Sequence, residues 1–480
     1  MEFIDKLTDW ELKYDLFEKG KVRDFCFYTF LRRELVNTAV NSKNGVKADP
    51  FVANGQEDTG LKLFLKLLKK SEKTNMKDVD LLILCHPRRN KVGDAYESVF
   101  TDFLEEEFPN SLTFERTFQN HSHLEPAVTK NICYQDRIVL KAYIARLLAK
   151  HLKKKEYAAI KAEIKAVMDG PIDEFEKENG VDLRRKTYYD RAVILYYFYQ
   201  SRRKDYNRFL DRVRPKAVVE VVSKSVDALI INELAKDRGI PVIELQHSLL
   251  GPIAKYPAGI YEKQSPDYYL SYSDYWSEYQ TYPIKAENVF SCGSQYFERQ
   301  VKAYKKPVVK SAEDKIKVLF ISGLAYGPQL SEVAVQLKKA SKDDVEIIYK
   351  LHPDEFSKWR ELYPALEENN INVIDSKDVS IYEFFNDSDA QVGVFSTAIY
   401  EGIAFDIDTY ILNITFAAEF IKFCEDGYGT LIESGEQLYE NLIARKGAGS
   451  AGGNSSLAEK FWKSNARENI IARIHEITGI

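Results

Sequence analysis

Two apolar runs that stop abruptly in polar residues constrain this chain more than any other feature. Ile347-Ile348-Tyr349-Lys350-Leu351 ends in His352-Pro353, and Val392-Gly393-Val394-Phe395 ends in Ser396-Thr397. Short runs rich in β-branched and aromatic residues read as buried strands. Helical segments separate them from each other and from further runs, so the strands must pair in parallel. In an open sheet of that kind, ligands bind outside the carboxyl ends of the strands. His352 and the Ser396-Thr397 pair therefore belong on one rim, where a histidine and two hydroxyls can hold a phosphate.

The pattern occurs twice. In the first half, a strand Val79–Cys85 ends in His86-Pro87-Arg88-Arg89. Strand Lys216–Val222, helix Val226–Arg238 and strand Val242–Leu245 then form one strand–helix–strand unit, punctuated by Gly239 and Pro241. Apolar runs at Tyr268–Tyr272 and Val289–Gly293 close this half. Around them, residues 5–71 and 134–200 read as largely helical, with a long helix from Leu140 to Met168 and a solvated Lys153-Lys154-Lys155 face. In the second half, strand Lys317–Ile321 leads through the turn Ser322–Gly327 into helix Leu330–Ala340 and strand Val345–Leu351. A helical Trp359–Glu368, bent at Pro364, precedes strand Ile371–Ile374, and Ser380–Asn386 precedes strand Gln391–Phe395. Thr409–Asn413 reads as the last strand.

The expected fold is α/β: two Rossmann-like domains with extra N-terminal helices. The domains span 1–300 and 310–445, separated by a Lys-rich linker over Val301–Lys315. A flexible Gly/Ser stretch from Lys446 to Ser456 precedes a closing helix in 457–480.

Composition excludes several classes. A chain of 480 residues exceeds one ordinary core. A net charge of −5 leaves no whole-chain footprint for nucleic acid. Five dispersed cysteines without a CxxC pair fit neither a disulfide scaffold nor a zinc site, and point to a reducing cytoplasm. The N-terminus is charged where a signal peptide is apolar, and no run of about 18 apolar residues exists to span a membrane.

Several residues carry candidate chemistry. Gly323 and Gly327 lie between a strand and a helix, as in a phosphate-cradling turn or an ordinary tight one. Pro353 keeps His352 extended, which suits either a phosphate ligand or a loop-capping ring. Lys350 can share that face or point to solvent. Ser396 or Thr397 can cap the following helix, with Glu401 placed for ribose hydroxyls or for the helix dipole. In the first half, Gln246-His247-Ser248 ends a strand, and His247 reads as a general base, a phosphate ligand or a structural histidine. His86 sits comparably, and Arg88 and Arg89 can bind an anionic substrate or simply be solvated. His121 and His123 suit a metal only if acids join them from elsewhere. Asp387-Ser388-Asp389 precedes a strand and reads as a turn, so no metal site is expected.

Lys350-Leu351-His352-Pro353 and Val394-Phe395-Ser396-Thr397 through Glu401-Gly402 resemble the HP and paired-hydroxyl motifs of GT-B glycosyltransferases. The nearest likeness is to bacterial sialyltransferases, Kdo-type capsule transferases and teichoic-acid glycerophosphotransferases, over residues 216–430. Gln246-His247 resembles the QHG motif of capsule enzymes, with Ser248 in place of the glycine. The acidic D/E-D/E-G motif of sialyltransferases has no counterpart in the first half, since Glu425-Asp426-Gly427 lies in the second. The resemblance implies two domains facing a cleft, with the donor on the second and the acceptor on the first. It implies that His352, Ser396 and Thr397 contact the phosphate of a cytidine nucleotide, that Glu401 approaches the ribose, and that the closing helix packs back on the first domain. His247 becomes the base, with His86 in reserve. The implied reaction moves a sugar from a nucleotide-activated donor, CMP-linked sialic acid or Kdo in type, to a cell-surface polysaccharide or lipid-linked acceptor. It needs no metal and no cofactor beyond the donor, and takes place in the cytoplasm at the inner face of the membrane. The alternatives on the same scaffold are a CDP-dependent polyol-phosphate transferase, an NDP-hexose transferase and a non-catalytic nucleotide-binding module.

Overall fold

A computed structural model describes residues 2–43, 45, 60–86, 89–117, 122–248, 255–279, 281–307, 314–414, 417–448 and 455–480. The chain forms two compact units. Unit 1 comprises Met1–Gly293 together with Ala466–Ile480, and unit 2 comprises Ser294–Asn465. The division falls before the expected linker. Val301–Tyr304 are helical, the end of helix Gln295–Tyr304 in unit 2. The apolar face of that helix explains the difference: Phe297 packs on Trp462 and Tyr304 stacks on Tyr382, both within unit 2.

Unit 1 carries β1 (Leu81–Leu84), the hairpin β2 (Asn90–Val92) and β3 (Ala95–Glu97), then β4 (Leu112–Glu115), β5 (Ile132–Tyr134), β6 (Ala217–Glu220), β7 (Val242–Leu245), β8 (Tyr268–Ser271) and β9 (Val289–Ser291). Its main sheet runs β5-β4-β1-β6-β7-β8-β9 with every neighbour parallel. The strand order reverses between β1 and β6, the Rossmann arrangement. Strand alternation assigns the two faces. Leu82, Leu84, Phe114, Val218 and Val242 join the core built by the N-terminal helices and helix Arg185–Val213. Leu81, Ile83, Val219, Ile243 and Leu245 face the other way, where Ile470 and Ile474 of the closing helix Ala466–Thr478 meet them. The N-terminal helices are thus one face of unit 1's core, tied by the buried Arg32–Glu11 ion pair.

Unit 2 carries β10 (Ile316–Ile321), β11 (Val345–Lys350), β12 (Asn372–Ile374), β13 (Ala390–Gly393), β14 (Asp408–Leu412) and β15 (Thr430–Ile432). Its order, β12-β11-β10-β13-β14-β15, is again all parallel and reverses between β10 and β13.

The two Rossmann-like sheets follow the expected alternation, but β4, β5 and β15 were not anticipated. Each is three or four residues long and too short to show a period. The expected helix Leu140–Met168 is two helices, Asp136–Leu152 and Lys154–Asn179, broken at Lys153. Trp359–Glu368 divides at Pro364, which opens the second piece. Lys446–Ala448 continue helix Gly435–Ala448 rather than starting a flexible stretch.

Candidate functional site

In unit 2, three neighbouring strand ends are tied into one rim. After β10 the chain turns through Ser322–Gly327 into helix Gly327–Ser341, with Pro328 in its first turn. After β11 it passes through His352-Pro353 into a turn, and after β13 it reaches Ser396, whose side chain caps helix Thr397–Ile403 by accepting the Ala398 N–H at 3.2 Å. The link between the first two ends is Glu355, which is fully buried. One of its oxygens accepts the His352 backbone N–H at 2.6 Å. The other accepts the Ser322 hydroxyl at 2.9 Å and the Tyr363 hydroxyl at 2.6 Å. Tyr349 adds a contact to Ser322 and donates to the Gly327 carbonyl at 3.2 Å. Tyr326 joins the third end, its hydroxyl donating to the Phe395 carbonyl at 2.7 Å.

The two glycines are required by this packing. A Cβ on Gly323 would enter the Tyr326 ring, and one on Gly327 would overlap the Tyr363 hydroxyl and Glu355. The His352 ring is 48% exposed, so it is presented outward instead of packed away. The Asp354 backbone N–H and the Asp354 carboxylate both approach its Nδ1, at 3.3 and 3.5 Å. An exposed imidazole, the Ser322–Gly327 turn and a helix N-terminus opened by Ser396 are groups that suit a phosphate.

Glu401 and Lys350 lie differently from expectation. Glu401 is in the second turn of its helix and is held by the Tyr382 hydroxyl; burial pushes its carboxyl up to about 7. The Lys350 ammonium donates to the Ser376 carbonyl, just beyond the end of β12, at 2.5 Å and lies over Phe356. Asp387 and Asp389 bind Lys317, through its ammonium and its backbone N–H, as a strand-entry turn.

In unit 1, His86 follows β1 and His247 follows β7, on either side of the end of β6. Their ring centroids lie 5.7 Å apart, with Phe100 at 6.1 Å from each. Burial, then His86, Arg33 and Arg116, lower the His247 pKa to about 4, opposed by a hydrogen bond to the Val221 backbone. The imidazole is thus neutral at ordinary pH and able to accept a proton. An anion bound beside it would raise its basicity. Gln246 is a positioning residue: its buried carboxamide accepts the Tyr272 N–H at 2.9 Å and donates to the Ser248 carbonyl at 3.3 Å.

Arg89 is not an anion ligand. Its guanidinium is fully buried and bonded to Glu115, Thr129 and Asp102. Arg88 lies outside the described residues. His123 does gather two acids, Glu115 at 2.6 Å and Asp136 at 2.8 Å, as an internal ion cluster that Arg89 shares. Among the described residues, no group of three or more His, Cys, Asp or Glu is placed to hold a metal.

Sequence reasoning missed Glu355, Tyr326, Tyr363 and Arg116. Arg116 follows the unread strand β4 and was findable: Leu112-Thr113-Phe114-Glu115-Arg116 alternates and then stops in a charge. The three unit 2 residues carry no local signal, since apart from the Glu355–His352 bond their bonds cross 8 to 69 positions of sequence.

No family model matches the sequence, and no curated protein does. Among solved structures, the wall teichoic acid polymerase TagF is similar at 12% identity and a TM-score of 0.44, over 94% of this chain and 98% of that one. A UDP-N-acetylglucosamine 2-epimerase matches at 11% identity and 0.45, over 84% and 97%. The UDP-GlcNAc 2-epimerase of Methanocaldococcus jannaschii matches at 14% and 0.42, over 58% and 82%. Likenesses of this depth identify neither a substrate nor a reaction.

Proposed function

We propose that the chain is a transferase that takes its donor as a nucleotide and binds the donor phosphate on the rim of unit 2. The observation that carries this reading is the joining of three adjacent strand ends through Glu355 and Tyr326, with the His352 ring half exposed beside them. Such a rim offers fixed N–H and O–H donors for a leaving phosphate, which is the electrostatic work that phosphate departure requires. The HP and Ser-Thr resemblance specifies the donor further as a cytidine nucleotide carrying a sugar of the sialic acid or Kdo type. Ser322, Gly323, Gly327, His352, Pro353, Ser396 and Thr397 form the phosphate site in this reading, and Glu401 meets the ribose. In unit 1, His247 takes the proton of an acceptor hydroxyl, assisted by His86. Protein groups neutralise the phosphate, and no metal is assigned a role.

The acceptor in this reading is a polysaccharide or lipid-linked precursor at a membrane surface. One face of unit 1 supports that placement. Helix Gly60–Leu68 packs Leu63 and Leu67 on Val139, Leu140 and Tyr143 of helix Asp136–Leu152. Beside that seam, Phe64, Leu65 and Leu68 are 39–53% exposed, and Ile144, Leu147, Leu148 and Leu152 are 41–78% exposed. On the second helix these four residues fall on one stripe by their spacing. Lys62, Lys69, Lys150, Lys154 and Lys155 are exposed on or next to these helices, while Lys141 and Lys153 pair with Asp205 and Glu156. An apolar stripe framed by lysines suits an anionic bilayer.

A thermal-shift panel with CMP, CDP, UDP, GDP and ADP, with and without EDTA, tests the donor reading. A nucleotide at about a hundred times its dissociation constant adds roughly 2.7 kcal/mol of stability. A shift with CMP or CDP that survives EDTA is the expected result. A shift with UDP or GDP alone redirects the reading to a hexose donor, and silence across the panel overturns it.

A further inference from the structure

The carboxyl rim of unit 1 gathers four groups that carry or can take positive charge. His86 follows β1, Arg116 follows β4, His247 follows β7, and Arg33 comes from helix Phe27–Lys43. The two imidazoles lie 5.7 Å apart, and both guanidiniums act electrostatically on His247. Arg116 is partly buried, yet among the described residues its side chain has no hydrogen-bond or ion-pair partner. The neighbouring carboxylates are already held. Asp227 binds Arg202 and Tyr206 at 2.7 and 2.6 Å, Glu115 binds Arg89 and His123, Asp102 binds Arg89 and Thr129, and Asp136 binds His123. A buried charge without a partner is costly, and buried charges are normally paired. Burial lowers the Arg116 pKa, and the charge of Asp227, already bonded elsewhere, only partly offsets it.

We propose that this rim is an oxyanion subsite for a phosphate ester on the acceptor substrate, gripped by the Arg116 fork with Arg33 at the exposed edge and His86 and His247 beside it. A planar guanidinium pairs two of its N–H groups with two phosphate oxygens, which a solvated lysine does less specifically. The anion site stands on unit 1 alone, while its assignment to the acceptor rests on the transferase reading. It gives Arg116 the role the sequence had suggested for Arg88 and Arg89. It also supplies the negative charge that would make His247 a stronger base once substrate is bound.

Carbethoxylation of the intact chain by diethyl pyrocarbonate, followed peptide by peptide by mass spectrometry, reads the site locally. Inorganic phosphate is compared with chloride at equal ionic strength. Phosphate is expected to slow modification of His86 and His247, leaving His475, which is 40% exposed, as an unaffected control. In Arg116→Met, half-protection should need about tenfold more phosphate, the loss of about one charge-assisted hydrogen bond. Arg116 is only partly buried and makes no direct ion pair among the described residues, so its removal should leave the melting temperature nearly unchanged. Arg33→Ala, at an exposed position, should weaken protection in the same direction and keeps the test open if Arg116→Met fails to accumulate. Absence of protection in the native chain, or undiminished protection in both variants, overturns the subsite. Protection of the His352 peptide by CMP or CDP reports on the unit 2 reading separately.

Discussion

A carboxylate buried between two loops holds them only while every one of its bonds is kept. Glu355 accepts from Ser322, Tyr363 and the His352 backbone, so Glu355→Gln puts an N–H donor where only acceptors fit. The expected outcome is a loss of about 1–3 kcal/mol in stability and at least about tenfold in nucleotide affinity, measured by chemical denaturation and by calorimetry with the nucleotide that shifts the melting temperature. His352→Ala should separate the two readouts. Its ring is 48% exposed, so affinity should fall while stability stays within about 0.5 kcal/mol. If both affinity and turnover survived that change, the phosphate site would lie elsewhere. The two residues also differ in legibility. His352 stands at an abrupt strand end before a proline, a local sign. Glu355 lies three residues further on, and its importance arises from Ser322, 33 positions away.

At the level of elements, strands were readable where an apolar run stood out and broke off sharply, and were passed over where none did. The six-residue β10 and β11 announced themselves, whereas β4 and β5 are held in register mainly by their neighbours. A consequence is the ion cluster that joins β4 to helix Asp136–Leu152 through His123, Glu115 and Asp136. Hydrogen bonds and charge from the two acids overcome desolvation and push His123 up to about 9. The folded value exceeds the ordinary one near 6.5, so this stabilisation is fully present below pH 6.5 and is lost as pH rises through 9. The expected magnitude is at most about 3 kcal/mol. Denaturation midpoints should fall across that window in the native chain and stay flatter in His123→Gln. The glycine turn makes a second case at this scale. Gly327→Ala should cost about 1–3 kcal/mol and release both Tyr363 and Glu355, so nucleotide binding should weaken with stability.

For the whole molecule, the repeated strand–helix alternation was enough to expect two Rossmann-like sheets, because each crossover leaves its own local pattern. The division at Gly293 was not legible, because helix Gln295–Tyr304 is polar on one side and its apolar partners are as remote as Trp462. Surface character was equally hidden. The chain is acidic overall at −5, yet Gly60–Lys70 holds four lysines and no acid. Among the described residues no helix is long and apolar enough to cross a membrane. Lys153–Lys155, expected as a plain solvated run, follow Leu152, the most exposed of the large apolar side chains. Flotation of the full chain with vesicles decides the matter. Binding is expected with vesicles of phosphatidylcholine and phosphatidylglycerol, and little with phosphatidylcholine alone, because each lysine near an anionic surface contributes about 1 kcal/mol. Raising salt should weaken it, as screening shortens the reach of those charges to less than about 10 Å. Leu148→Ser with Leu152→Ser should reduce the bound fraction while leaving the melting temperature unchanged, since both side chains are more than half exposed. Equal flotation of that double variant would remove the face from the account. A native dimer that the same substitutions dissociate would assign the stripe to a second copy of the chain instead.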